Sequence, residues 1–292
     1  MNPKPSGRAA RGRSVVADGP PSSGTADRKL VNMTNANRVV GLNRVGKIDL
    51  LDVKIISEYY GRAFMPYPFM ETRSHPFANY EEYSAYATSV PDRYNHGDLH
   101  MFQKWFSTYI DADLRVECSV HELNSESAGQ RIVAHRLDHL GYLAIQQPDD
   151  VVEVLTLSAY DLGAAIAGTV ELTKPGKHPA ILIPEYGQGL SGHRDDELVA
   201  VQARPVAPTG VTVPRAEVTV FGRVQSHWQP ARDWGFDATK SAVVWVRLGD
   251  DGEYLLAPDL SCAKPMTARE LSDRIDRLIA KNVAVLRELR GR

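Results

Sequence analysis

Residues 185–197 read EYGQGLSGHRDDE, with Gly187, Gly189 and Gly192 in the spacing G-x-G-x-x-G. The apolar run AILIP, residues 180–184, comes immediately before. A glycine-rich turn from strand to helix lets backbone N–H groups approach a pyrophosphate that the helix N-terminus then stabilises. That chemistry would make the chain a nucleotide- or phosphate-binding enzyme. The fingerprint also requires a βαβ unit whose second strand ends in an acidic residue about 20 positions on. The next stretch is instead VQARPVAPTGVTVPRAE, irregular and interrupted by Pro205, Pro208 and Pro214. The loop therefore reads as a linker, with the nucleotide enzyme kept as the alternative.

Other candidate groups fail on context. His135 and His139 in HRLDH have the i, i+4 spacing that chelates zinc on a helix, but the flanking two-residue period places them astride a hairpin turn. HGDLH, residues 96–100, begins a helix in which Asp98 suits the first turn and the histidines face solvent. GLSGH is not a nucleophile elbow, because His193 stands where the last glycine belongs. Asp149–Asp150, Asp195–Asp196 and Asp250–Asp251 fall in turns and read as solvated. No catalytic, cofactor-binding or metal-ligating residue is assigned.

Two loops are left with recognition chemistry. SHWQPARDWGFDA, residues 226–238, carries Trp228, Trp234 and Phe236 between two strands. Such aromatics either plug the core from above or form a partner-binding surface. HELNSESAGQ, residues 121–130, is polar and glycine-containing; a long hairpin loop of this kind can close on a partner.

The elements that must position these loops follow from periodicity. RVVGL (38–42) reads as a short strand and IDLLDVKIISEYYG (48–61) as a helix ended by Gly61. Two helical pieces follow near 79–87 and 97–110. The period then changes to two: DLRVECSV (113–120) alternates Leu114, Val116, Cys118 and Val120 on one face of a half-buried strand. RIVAHRL and YLAIQQ flank the turn DHLG, and VVEVLTL (151–157) completes a meander. Ser158 and Asp161 have capping-box spacing for the next helix. Residues 216–225, 241–248 and 253–258 read as strands. Thr267 and Glu270 then form a capping box before a helix with Leu271, Ile275, Leu278, Ile279, Leu286 and Leu289 on its buried stripe. Strands, tight turn, strand and capped helix thus occur twice, which predicts an α+β protein with pseudo-twofold order on an antiparallel sheet. Residues 1–37 form a tail, 38–184 and 216–292 the two repeats, and 185–215 the linker.

Composition narrows the class. Thirty-four Lys and Arg against 36 Asp and Glu give a formal net charge of -2, with no basic excess for nucleic acid or an anionic membrane surface. No apolar run approaches the roughly 18–20 residues needed to span a bilayer. Cys118 and Cys262 are far apart and read as buried small hydrophobes in a reducing cytosol. Residues 1–37, rich in Arg, Ser, Gly and Pro, have no signal-peptide core and are expected to be disordered. Met33 offers an alternative start.

The order DLRVECSV, then QRIVAHRLDHLGYLAIQQPDDVVEVLTL, then a helix resembles the first repeat of the EspG family. That family comprises cytosolic chaperones of ESX (type VII) secretion systems. LHMFQKWFSTYI resembles its helix leading into the sheet, PAILIP the strand before its second repeat, and DGEYLLAP with a long helix its ending. The resemblance spans about residues 40–290 and implies a fold with a central antiparallel sheet flanked by helical bundles. It also implies a non-enzymatic cytoplasmic protein without a cofactor, a monomer or weak dimer. Such a protein grips the hydrophobic tip of the PPE subunit in a PE–PPE heterodimer and keeps it soluble. The family's adjustable loop maps to Leu123, Asn124, Ser125 and Glu126. Trp228, Trp234 and Phe236 are added as partner-binding candidates, although their loop has no match in the family. The rival enzyme predicts thermal stabilisation of about 2.7 kcal/mol by NAD or ATP at a hundredfold excess over Kd. A flat melting temperature across a cofactor panel discards it.

Overall fold

The computed structural model describes residues 41–62, 65–125, 129–188, 210–228 and 235–291. The expected tail, most of the linker with Gly189, Gly192 and His193, and residues 229–234 lie outside the described residues. The fold is α+β.

The described residues form one mixed sheet of eleven strands. These are β1 (Asn43–Asp49), β2 (Leu114–Glu122), β3 (Gln130–Leu137), β4 (Leu140–Gln147), β5 (Val151–Ser158), β6 (Ile181–Leu182), β7 (Val211–Thr212), β8 (Val218–Trp228), β9 (Ala242–Leu248), β10 (Gly252–Leu256) and β11 (Ala263–Pro265). Their order across the sheet is β1-β5-β4-β3-β2-β8-β9-β10-β11-β6-β7. All pairs are antiparallel except the short β6–β7 edge pair. β2 and β8 pair in register over nine residues, Leu114 opposite Trp228 through Glu122 opposite Val220.

Helices cover the sheet on both sides. α1 (Leu50–Tyr59), α2 (Tyr80–His96) and α3 (Gln103–Ile110) pack on β3–β5 around Phe102, Trp105, Phe106 and Val154. α4 (Leu162–Thr169) and α6 (Ala268–Leu289) cover the opposite face, burying Val116, Cys118, Val224 and Trp245 with Ile166 and Ile275. A short α5 (Pro184–Gln188) contains Gly187 and follows β6. Ile181, Val246, Leu248 and Tyr254 form a third, smaller core.

Several expected elements are corrected. The first described strand is Asn43–Asp49, paired with residues 151–156 of β5; of the expected strand RVVGL, residues 38–40 lie outside the described residues, and Gly41 and Leu42 are not in a strand. α2 runs unbroken through Pro91 to His96, so the expected stop near residue 87 is absent. Pro91 sacrifices one backbone bond, but Val90 and Tyr94 beside it are buried and hold the turn. The Ser158–Asp161 capping box does not form, since Ser158 ends β5 and Asp161 makes no side-chain cap. The start of α4 instead lies against the Asp276 carboxylate of α6 at Gly163. A Cβ at Gly163 would stand 2.1 Å from Asp276 Oδ1. The Thr267–Glu270 capping box is present, but Leu289 of the expected buried stripe is exposed, because α6 ends there beyond the sheet it covers.

Gly222, in the middle of β8, makes room for the buried Trp245 ring on β9. A Cβ there would lie 2.1 Å from Trp245 Cε2 and Cζ2. Trp245 has no exposed surface and nowhere to move. Gly222→Ala is expected to destabilise the fold by about 1–3 kcal/mol, as overpacking does. Urea denaturation reads this as a lower midpoint with an unchanged m-value.

Candidate functional site

Pleating of β2 and β8 sends alternate residues to opposite faces. Leu114, Val116, Cys118 and Val120 face α4 and α6. Arg115, Glu117 and Ser119 take the other face, and all three are buried. This overturns the expectation that β2 is buried on one side only. Across β8, His227, Gln225 and Arg223 stand opposite Arg115, Glu117 and Ser119. Across β3 their partners are His135, Val133 and Arg131. A polar band therefore crosses the sheet between the two apolar clusters of that face.

Its middle is a chain of charged contacts. Arg115 donates from Nε to Glu117 Oε1 at 2.7 Å and from Nη1 to Tyr109 Oη at 3.1 Å. Glu117 Oε2 faces His227 Nε2 at 3.4 Å. Lys240 Nζ lies 3.3 Å from His227 Nδ1 and 3.5 Å from Asp237 Oδ2. An ammonium can only donate, so Nδ1 accepts and the imidazole proton is assigned to Nε2, which faces Glu117 Oε2 without forming a hydrogen bond. Among the described residues no hydroxyl or thiol hydrogen-bonds to His227. What this arrangement does is fix charge across the band. Gln225 adds a clamp on the following loop, donating to the Asp237 and Lys240 carbonyls and accepting the Asp237 N–H.

His135 sits beside this chain without exposed surface. Its Nε2 lies 3.0 Å from Thr108 Oγ1, and its ring stacks on Tyr142 at 5.2 Å between centroids. Burial, helped by the nearby Arg115, pulls its pKa down to about 3. His135 is on β3 and His139 occupies the two-residue turn between β3 and β4, so the pair lies on a hairpin rather than a helix but does not straddle its turn. Among the described residues no three His, Cys, Asp or Glu side chains are grouped to hold a metal ion.

The residues singled out for partner binding fall in different places. Leu123, 43% exposed, Asn124 and Ser125 follow β2 at one end of the β2–β8 pair. Trp228 lies at the other end, opposite Leu114, about 30 Å away at strand rise. Trp228 shares the parity of Ser226, which hydrogen-bonds to Asn282 of α6, and so faces the helices. Phe236 is on the opposite face, with the Arg223 guanidinium 4.2 Å from its ring centroid. Glu126 and Trp234 lie outside the described residues. Two further expectations are corrected. Asp150 is buried, accepting from the Thr72 N–H, Thr72 Oγ1, the Arg73 N–H and Gln146 Nε2. Cys262 is only half-buried, whereas Cys118 is in the core.

Sequence reading missed the polar band because charges at alternate strand positions normally mark a solvent face. The one available signal was that β8 repeats the pattern with Arg223, Gln225 and His227. The chain matches no protein-family model, and no curated protein matches it.

His135 gives the fold a defined acid sensitivity. Its folded pKa lies far below the ordinary 6.5, so above pH 6.5 it is neutral in both states and contributes no pH dependence. As pH falls below 6.5 the unfolded chain takes up a proton that the folded chain refuses, and stability falls until about pH 3. By pH 5 the loss is about 2 kcal/mol. Chemical denaturation between pH 8 and 5 should show this drop in the wild type and a shallower one in His135→Gln. Identical profiles would refute the assignment.

Proposed function

We propose that the protein is a non-catalytic cytoplasmic chaperone of a type VII (ESX) secretion system. Its client is a PE–PPE heterodimer, held through the hydrophobic tip of the PPE subunit. The observation that carries the reading is the strand order. The meander β2–β5 and the meander β8–β11 meet at β2–β8. The first leads into α4 and the second into α6, and these helices pack on the same face. That order fits the pseudo-twofold, EspG-like arrangement, in which two repeats share one central sheet.

The physical logic is that of covering an aggregation-prone surface. A client with an exposed apolar tip needs a broad partner rather than a narrow catalytic pocket. Leu123 supplies an exposed apolar side chain at the end of the longest strand pairing. In this proposal the 123–126 loop and the aromatic loop with Trp228, Trp234 and Phe236 contribute to the interface. No cofactor takes part, and the free chaperone is a monomer or weak dimer.

Co-expression with PE–PPE pairs encoded alongside its gene, followed by size-exclusion chromatography, tests the reading. One pair is expected to co-elute with the wild type. Leu123→Asp should weaken that complex about tenfold or more, a loss of ~1.4 kcal/mol, without lowering the melting temperature of the free protein. If no pair co-elutes, the proposal falls.

A further inference from the structure

β10 and β11 pair antiparallel, with Leu255 opposite Lys264 and Leu256 opposite Ala263, and α6 starts soon after, at Ala268. The connection between the two strands is fixed from within. The Ala257 N–H donates to the Cys262 carbonyl at 2.8 Å, and the Asp259 carboxylate accepts from the Ser261 N–H and hydroxyl. Between this hairpin and the first turns of α6 lies a groove of about 370 Å3. Sites for small ligands occupy roughly 300–1,000 Å3. Leu255, Leu256, Ala257, Pro258 and Pro265 make up its apolar lining, and the half-buried Cys262 lines it too.

The rest of the lining is charged: Lys264, Arg274 and Arg277 stand against Glu270 and Asp273. Glu270 is committed to the capping box, where its Oε2 accepts from the Thr267 N–H and hydroxyl. Glu270 and Arg274, like Asp273 and Arg277, have the i, i+4 spacing that joins opposite charges along a helix. Neither ion pair forms. Among the described residues the side chains of Lys264, Arg274 and Arg277 have no hydrogen-bond or ion-pair partner. Three cations, one of them the half-buried Arg274, thus edge an apolar groove that holds a single uncommitted carboxylate. Each of the two guanidinium groups keeps its planar fork of donors for an acceptor from outside.

We propose that this groove binds an anionic amphiphile, with its apolar body against Leu255, Pro258 and Pro265 and its carboxylate or phosphate head among Lys264, Arg274 and Arg277. Burial of the body supplies the hydrophobic part of the affinity. The head adds charge-assisted hydrogen bonds, which a guanidinium fork makes to an oxyanion and withholds from an ammonium. Exposed charges alone attract weakly, so both halves of the ligand are needed. Cys262 takes no part in the binding and reports on it. This inference does not depend on the chaperone reading.

Alkylation of the native full chain with iodoacetamide, followed by intact mass, provides the test. Cys118 has no exposed surface, so a single label on Cys262 is expected. Sodium octanoate and octyl phosphate, below their micelle concentrations and at constant ionic strength, should slow that labelling saturably. Only the empty groove reacts, so the rate should fall about tenfold at ten times the Kd. A response to octanoate alone assigns a carboxylate head, and a response to octyl phosphate alone assigns a phosphate head. Acetate, which lacks the body, and octylammonium, which reverses the charge, should leave the rate unchanged. In isothermal titration the double variant Arg274→Gln, Arg277→Gln should bind about tenfold or more weakly, which is ~1.4 kcal/mol, with an unchanged melting temperature. Lys264→Gln, on β11, should weaken binding by a smaller factor. Arg269→Gln, exposed on the same helix outside the groove, should bind like the wild type. No slowing by either octyl anion overturns the proposal, as does equal slowing by acetate or octylammonium. Wild-type affinity in both the double variant and Lys264→Gln overturns it too.

Discussion

Every other part of the molecule takes its position from the pairing of β2 with β8. Nine residue pairs lock the two meanders into a single sheet. A slip of one residue would turn Val116, Cys118 and Val224 to the polar face and Glu117 and Arg223 into the helix layer. The helices then reinforce that register. Asn282 of α6 reaches Ser226 on β8 at 2.8 Å, and Arg290 at the end of α6 pairs with Asp113 just before β2. α4 docks on α6 through the close approach of Gly163 to Asp276. Long-range strand pairing of this kind joins segments about 100 residues apart, so its loop-closure entropy must be offset by burial on both faces.

The two faces offset that cost differently. The face under α4 and α6 is an apolar core, worth roughly 25 cal/mol for each Å² removed from water. The opposite face has apolar clusters at its flanks and charge in its centre. A buried ion pair there is an approximate balance of desolvation against attraction. Arg115 meets the condition for that balance by donating to Glu117 Oε1 and Tyr109, whereas Glu117 Oε2 and His227 Nε2 face each other at 3.4 Å without a hydrogen bond. Removing one member would strand its neighbours, at about 3–5 kcal/mol for a buried pair.

Much of this architecture can be read in the amino-acid order, because periodicity reports local burial. The meander 130–158 follows from alternation and a two-residue turn at Asp138–His139, where Asp138 has φ 54°. The capping box at Thr267 is likewise a local signal, complete within four residues. Features that depend on distant partners were not legible. β6 and β7 are two residues long and are fixed by distant partners, β6 by Ala263 of β11 and β7 by β6 at the sheet edge. α2 continues past Pro91 because of packing that the proline itself does not announce. The same limit hid the polar band: Arg115 and Glu117 look like a solvated strand face until Tyr109 and His227 are placed over and beside them.

The charged contacts between β2 and β8 have a physical meaning of their own. Arg115, Glu117 and His227 penalise wrong registers, since a slip would leave each of them buried without its partner. They therefore serve the uniqueness of the fold, as buried polar groups do in other sheets and coils.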